Sequence, residues 1–389
     1  MKRLLLLITI CISSVSFGQY TSIPDPNFEQ ALIDLGHDDV IDGQVLTSNI
    51  SGVTNLNVDN LYNISDLTGI SDFSSLNFLN CGGNQLTSLN VSQNTGLIEL
   101  YCTNNQLTNL TLNDSLLTLV CFNNQLTELN ISNCFLLSGL TCSRNQINNI
   151  DLSQNNNLEV LDISSNPVSN LVLNNLSNLK DLWIEYTDIS SIDLASNIYL
   201  EILSFGFLRE DDITEDLTWS PMTSIDLSSN IFLKDVSYFG GALESLDLSN
   251  CIGNGYSDIS IDFPINMSCL NLANGTNGIM PNGGDIISLD INDKDEWGIP
   301  CPSLCIEVDD INIANSVWNN NIDHSNYTFS TDCGDCTPTS NLTELNSNKP
   351  KKLIKIVNLL GQEVEYTPNT VLIYQYSDGT SEKVFTIED

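Results

Sequence analysis

Apolar residues recur along the middle of this chain with one long period. Leu79, Leu100, Leu119, Leu140, Leu161, Leu182, Leu203 and Val236 are equivalent, spaced by one constant interval save for a slightly shorter step before Leu119 and a long one before Val236. A second series, Leu89, Leu110, Leu129, Ile150, Leu171, Ile192, Ile225 and Leu246, falls midway between members of the first, displaced only after Leu203. Both halves carry one pattern, Leu-x-x-Leu-x-apolar with Asn three places on, as in LNFLNCGGNQLTSLNVSQN. Alternate apolar positions predict a short strand, and the Asn after it predicts a tight turn whose side chain satisfies backbone groups of a neighbouring copy. One such unit cannot bury its apolar face alone, so the units must stack into a solenoid. Asn84, Asn105, Asn124, Asn145 and Asn166 form the first turn ladder; Thr187 breaks it, so the later rungs are expected to be less regular.

This pattern resembles the leucine-rich repeats, in particular the 21-residue bacterial subclass whose repeat contains two similar halves and which is found in Bacteroidetes-type proteins. The resemblance implies a mostly β leucine-rich repeat solenoid, with parallel strands on both sides of each rung. It covers residues 76–250, about eight rungs, with a 12-residue insertion within 204–222. At roughly 4.8 Å per rung the stack is about 40 Å long. Cys81, Cys102, Cys121 and Cys142 fall on the inward position two residues after the marker leucine, which later rungs fill with Ile163, Ile184, Phe205 and Tyr238. They therefore read as packing thiols rather than a metal row. Cys134 and Cys251 fall on the Asn positions of the second turn.

Both ends differ from the repeat. Residues 1–18 read as a secretory signal, with Lys2 and Arg3 followed by the apolar run Leu4–Ile12. That run is shorter than the roughly 20 residues that span a bilayer, and no membrane insertion is expected. Residues 19–75 are expected to form an N-terminal cap. In IPDPNFEQALIDLG, Asp25 is the N-cap, Pro26 opens a short helix, Phe28, Leu32 and Leu35 share a face, and Gly36 ends it. Residues 251–336 lose the period and read as an irregular C-terminal cap. They hold Cys301, Cys305, Cys333 and Cys336, which allow three disulfide pairings or a zinc site; export favours disulfides. CIEVDD…FSTDC resembles the closing segment of related surface repeat proteins, which implies a link from Cys305 to Cys333. After a polar linker, 337–348, the composition shifts: residues 349–389 hold Lys349, Lys351, Lys352, Lys355 and Lys383. KLIKIVNLLGQEV and NTVLIYQYSDGTSEKVFTI read as strands of a small β tail. This tail resembles the sorting domains of the type IX secretion system of Bacteroidetes, with Asn358 and Gln362 departing from the usual Asp and basic residue. The resemblance implies the secretion machinery as a partner and a place outside the cell, either released or on the outer surface.

Charge removes whole classes of function. The chain has 389 residues with 12 Lys and Arg against 49 Asp and Glu, a net charge of -37, and Arg144, Lys180, Arg209, Lys234 and Lys294 are its only basic residues between 20 and 348. Nucleic-acid binding, which needs cations along the phosphates, is excluded. With two histidines, His37 and His324, most imidazole-based chemistry lacks its parts. Chemistry by carboxylates alone, as in a glycoside hydrolase, survives this cut, but a flat sheet offers no cleft to hold the acid and the base.

Strand alternation places Glu99, Tyr101, Phe122, Val160, Asp162, Asp181, Trp183 and Glu185 on the outer face of the first sheet. Aromatic rings among carboxylates suit recognition of a macromolecule, a protein first and a polysaccharide second, since Tyr and Trp dominate binding energy. Trp219 closes the acidic insertion and joins this candidate set. On the second sheet Asp193, Asp226 and Asp247 follow on three successive rungs, where like charges repel unless a cation such as Ca²⁺ lies between them. No other cofactor is expected. The function these features imply is non-catalytic binding or adhesion by an exported leucine-rich repeat protein.

Overall fold

The computed structural model describes residues 19–59, 63–210, 217–251, 258–262, 264, 266–273, 288–292, 303–318, 322–323, 327–333, 353–357, 371–376 and 381–385. The expected signal segment 1–18, the linker 337–348 and Cys301, Cys336 and His324 lie outside them. The chain divides into two compact units, Met1–Pro338 and Thr339–Asp389.

The first unit is built on a parallel sheet of 12 strands. The marker residues pair in strict register, Leu79 with Leu100, Leu100 with Leu119, Leu119 with Leu140, and so on through Leu203 and Val236. Each is buried, at 0–2 % exposure, because the inward face of every strand stacks on the one below. The ladder runs past both expected limits. It starts at Asn55–Asn57, where Leu56 pairs with Leu79. It continues through Asp258–Asp262 and Ser288–Asn292 to Ile322–Asp323. The residues placed in an irregular C-terminal cap therefore extend the solenoid. Their period was hidden because the steps lengthen from Val236 to Ile259, to Leu289 and again to the last strand, while Ile259, Ile261 and Ile291 keep the alternation and are buried. Eleven spacings give a sheet about 50 Å long.

The second side of the rungs is less uniform. Ser88–Asn90 pairs in parallel with Asn109–Thr111, and Ser245–Asp247, Cys269–Asn271, Leu304–Glu307 and Tyr327–Ser330 form a four-stranded parallel sheet. Between them Leu129, Ile150, Leu171 and Ile225 hold the inward position, at 4–7 % exposure, without strand pairing.

Two rows of amides stitch the rungs together. The Asn124 amide donates to Cys102 O of the rung below and Cys121 O of its own, both at 3.0 Å, while its Oδ1 accepts from Leu107 N at 3.0 Å. Asn84, Asn105, Asn145 and Asn166 repeat this arrangement. Thr187 is the expected break: its hydroxyl reaches only Ile184 O of its own rung, at 2.8 Å. The second row is Asn94, Asn113, Asn155, Asn197 and Asn230, each donating to two carbonyls of the preceding rung. Cys134 substitutes in it, its thiol directed at Asn113 O. Cys81, Cys102, Cys121 and Cys142 are fully buried, and burial pushes the Cys81 and Cys121 thiols up to about 12.

The N-terminal helix, Pro26–Asp34, is capped as its sequence demands. One carboxylate oxygen of Asp25 accepts from Asn27 N and Phe28 N, and the other from Ser65 N, Ser65 Oγ and Asp66 N. Buried Glu29 accepts from the backbone of residues 42, 43 and 44 through one oxygen. At the other end Cys305 is bonded to Cys333, with Cα atoms 5.8 Å apart. Cys269, absent from the four-cysteine reading, is also disulfide-bonded. The second unit holds an antiparallel sheet of Leu353–Val357, Val371–Tyr376 and Ser381–Phe385.

Candidate functional site

The outer face of the long sheet presents columns of equivalent side chains, one per rung. The column after the marker reads Asn80, Tyr101, Val120, Thr141, Asp162, Trp183, Ser204. Phe122 is therefore not level with Tyr101, a place Val120 takes; it lies two residues on, where the strand enters the turn and its carbonyl accepts from Asn104 N. The cause is that strands of three residues leave the next outward position to the turn.

Two clusters of candidate residues result. In the first, Tyr101 and Glu99 share a strand, the phenol donating to Glu99 Oε2 at 3.5 Å, and Phe78 of the preceding rung lies against the Tyr101 ring with centroids 5.4 Å apart. Burial and then the Glu99 charge raise the Tyr101 phenol above its ordinary value. The alternation that singled out Glu99 also marks Phe78, its register partner, which the sequence reading passed over.

In the second cluster Asp162, Trp183 and Glu185 come together. Asp162 accepts from Ser143 Oγ at 2.7 Å through one oxygen and from Ser164 Oγ and N, at 2.6 and 3.0 Å, through the other. Trp183 lies beside it, flanked on the other side by buried Ser204. Burial raises the Glu185 carboxyl, against a hydrogen bond from Ser204, and its Oε2 is buried without a hydrogen-bond partner. Asp181 stands at the start of the same strand, raised by burial and by Glu201 against the opposing pull of Lys234 and Lys180. Tyr101 and Trp183 are four register steps apart, about 19 Å along the face.

Trp219 belongs to neither cluster. It lies in the insertion, which folds as an antiparallel hairpin of Leu208–Glu210 and Leu217–Trp219, and is 43 % exposed. At the hairpin base the rings of Tyr186 and Phe207 stack, 5.9 Å apart.

Asp193, Asp226 and Asp247 each have a task within their own turn. Each uses an oxygen to accept the backbone N–H two residues on, in Ala195, Ser228 and Ser249. Asn90, Asn130, Asp151 and Asn271 do the same in their rungs, so the position selects a turn-forming acceptor that Asn supplies as well as Asp. Among the described residues no group of three or more His, Cys, Asp or Glu is placed to hold a metal ion. Also among the described residues, no helix is long and apolar enough to cross a membrane.

No family model and no curated protein matches the chain. Solved structures do. An internalin, InlF, of Listeria monocytogenes is 17 % identical over 79 % of this chain and 84 % of its own, with a TM-score of 0.52. The functional domain of InlJ from the same organism, described as including a cysteine ladder, is 19 % identical over 96 % of this chain and 100 % of its own, at a TM-score of 0.36. Internalin C2, also from Listeria monocytogenes, is 25 % identical over 55 % of this chain and 99 % of its own, at 0.38. The first of these similarities carries the fold: the chain is a leucine-rich repeat solenoid, mostly parallel β.

Proposed function

We propose that this chain is an exported leucine-rich repeat protein, displayed on the cell surface or released from it, that binds another protein through the outer face of its long sheet and performs no chemistry itself. The observation that carries this reading is the pair of aromatic and acidic clusters about 19 Å apart on one face. A ligand touching Glu99, Tyr101 and Phe122 together with Asp162, Asp181, Trp183 and Glu185 must be an extended surface rather than a small molecule. Rings on a rigid sheet present contact area with little ordering cost, and carboxylates around them favour a basic partner. Asp162 has both oxygens engaged by serines of its own and a neighbouring rung, which suits a fixed recognition surface better than a general base. Residues 1–18 and 349–389 supply the addresses for export, the latter through the type IX machinery; the three-stranded sheet of the second unit supports a separate β module there.

The test is capture from surface-protein extracts and from a polysaccharide panel by the full chain and by a Tyr101→Ala/Phe122→Ala/Trp183→Ala variant. A protein captured by the wild type and lost by the variant is the expected result. Capture of a polysaccharide that Trp183→Ala alone abolishes would replace protein by carbohydrate as the ligand class. Equal capture by both chains would move the site to the Trp219 hairpin or the second side of the rungs. Capture by neither would overturn the reading in favour of a passive surface role.

A further inference from the structure

The residue immediately before each strand of the long sheet forms its own column along the edge of the rungs. Consecutive members are joined by backbone hydrogen bonds: Leu117 N to Ile98 O, Ser138 N to Leu117 O, Glu159 N to Ser138 O, Lys180 N to Glu159 O, Glu201 N to Lys180 O and Lys234 N to Glu201 O, at 2.7–2.9 Å. Its second half therefore reads Glu, Lys, Glu, Lys on four successive rungs, about 14 Å in length. Lys180 Nζ meets Glu159 at 2.7 Å and Lys234 Nζ meets Glu201 at 2.6 Å, with these four side chains 36–48 % exposed. Beside the ladder lie exposed apolar groups. Leu117, Phe135 and Leu136 are 39, 50 and 51 % exposed, and Tyr199 and Phe232, two residues ahead of Glu201 and Lys234, stack at 5.9 Å while 49 and 39 % exposed.

We propose that this edge is the contact between two copies of the chain, related by a two-fold axis between Lys180 and Glu201. Read backwards, the ladder is the complement of itself: Glu159 faces Lys234 of the second copy and Lys180 faces its Glu201, at all four positions. A chain of net charge -37 repels its own copy over most of its surface. Lys180 and Lys234 are two of the five basic residues between 20 and 348, and they balance the Glu159 and Glu201 carboxylates of the ladder. A two-fold contact closes on itself, whereas a head-to-tail match of the same alternation would run on without limit. The charges set the register, and the stacked Tyr199 and Phe232 rings supply apolar burial beside them. None of these residues belongs to the two clusters proposed to bind ligand, so this inference stands or falls apart from that reading.

Sedimentation velocity of the full chain, at loading concentrations up to about 1 mM, the range of small interfaces, tests it. The wild type is expected to double its weight-average mass as concentration rises, and to return to monomer in high salt. Lys180→Glu/Lys234→Glu is expected to stay monomeric with an unchanged circular dichroism spectrum. The fourfold inversion Glu159→Lys/Lys180→Glu/Glu201→Lys/Lys234→Glu keeps every pairing within the chain and the self-complementarity. It is expected to dimerise with itself and not with wild type, which a labelled mixture reads directly. A wild type that remains monomeric throughout, or an inverted chain that mixes freely with wild type, would overturn the proposal.

Discussion

The amide ladder makes a quantitative claim about folding that one substitution checks. Asn124→Ala removes an Nδ2 that donates to Cys102 O and Cys121 O, and an Oδ1 that accepts from Leu107 N, all at 3.0 Å and buried. Each lost bond contributes about 0.5–1.5 kcal/mol, and the stranded Leu107 N–H adds a desolvation penalty of about 1–3 kcal/mol, while Cys102 O and Cys121 O keep the amides of Asn105 and Asn145. Partial relaxation of the turn offsets some of this, so a net loss of about 3–5 kcal/mol is expected. Asn124→Thr imitates what the chain does at Thr187, where one hydroxyl satisfies one carbonyl of its own rung, and is expected to cost about half as much. Urea unfolding followed by circular dichroism measures both, with exposed Gln125→Ala as the control for an ordinary surface change. Because a solenoid is stabilised by nearest-neighbour terms, the loss should be largest in the rungs on either side of Asn124, as amide hydrogen exchange would resolve. If Asn124→Ala costs no more than Gln125→Ala, the ladder is not what holds the rungs in register.

Asp25→Ala removes both the helix cap and the clamp on residues 65 and 66, for a loss of about 2–4 kcal/mol in the same assay. Burial alone would raise this carboxyl, but the hydrogen bonds from Ser65, Asn27 and Asp66 hold it below the ordinary value of 3.8. Its contribution is therefore present above that pH and lost as pH falls through the lower folded value, and Asp25→Asn should flatten that limb of the stability profile. Glu185 has the opposite sign: burial lifts it above 4.5, so ionisation costs stability as pH rises through the window above that value. Glu185→Gln should abolish this loss; an unchanged loss in titration-monitored unfolding would assign it to another group. Cys81, Cys102, Cys121 and Cys142 should resist a thiol reagent at pH 8 until the chain unfolds, since they are buried and Cys81 and Cys121 are pushed up to about 12. Reduction of Cys305–Cys333, which closes a separation of 28 residues, should cost about 3–4 kcal/mol, seen as a lower midpoint for the last rungs.

Most of the architecture was legible because a period kept over many rungs is a strong signal and each residue type in it has one task. Leu at the marker, a small or aliphatic residue two places on and Asn three beyond that follow from the geometry of a stacked strand and turn. The signal failed where the steps between rungs stretched: Ile259 and Ile291 are marker-side residues in a regular sheet, yet the connections that separate their strands are longer and uneven, so no single interval brings them into line with Val236. The candidate face was legible as a face, because alternation decides inward from outward, but not in its details. Alternation alone does not say that a strand ends after three residues, which moved Phe122 out of line with Tyr101, nor that Ser143 is near enough to hold Asp162. Repulsion between rungs is visible in the spacing of Asp193, Asp226 and Asp247, whereas their partner inside the turn, the backbone N–H two residues on, is not.

Thr187 also has a mechanical meaning. From Asn84 to Asn166 every rung is tied to the one below it by the same buried amide, so force applied along that stretch is shared by five equivalent links. At Thr187 this row's link to the preceding rung is missing, leaving Asn197 of the second row to tie the same two rungs, and the hairpin insertion follows one rung later. Under load this joint relies on the second amide row and the strand pairing alone, whereas the amide-linked block shares the load over both rows. The joint lies next to Trp183 and Glu185, at one border of the face proposed to carry the ligand, so any slack it allows would be felt by those side chains first.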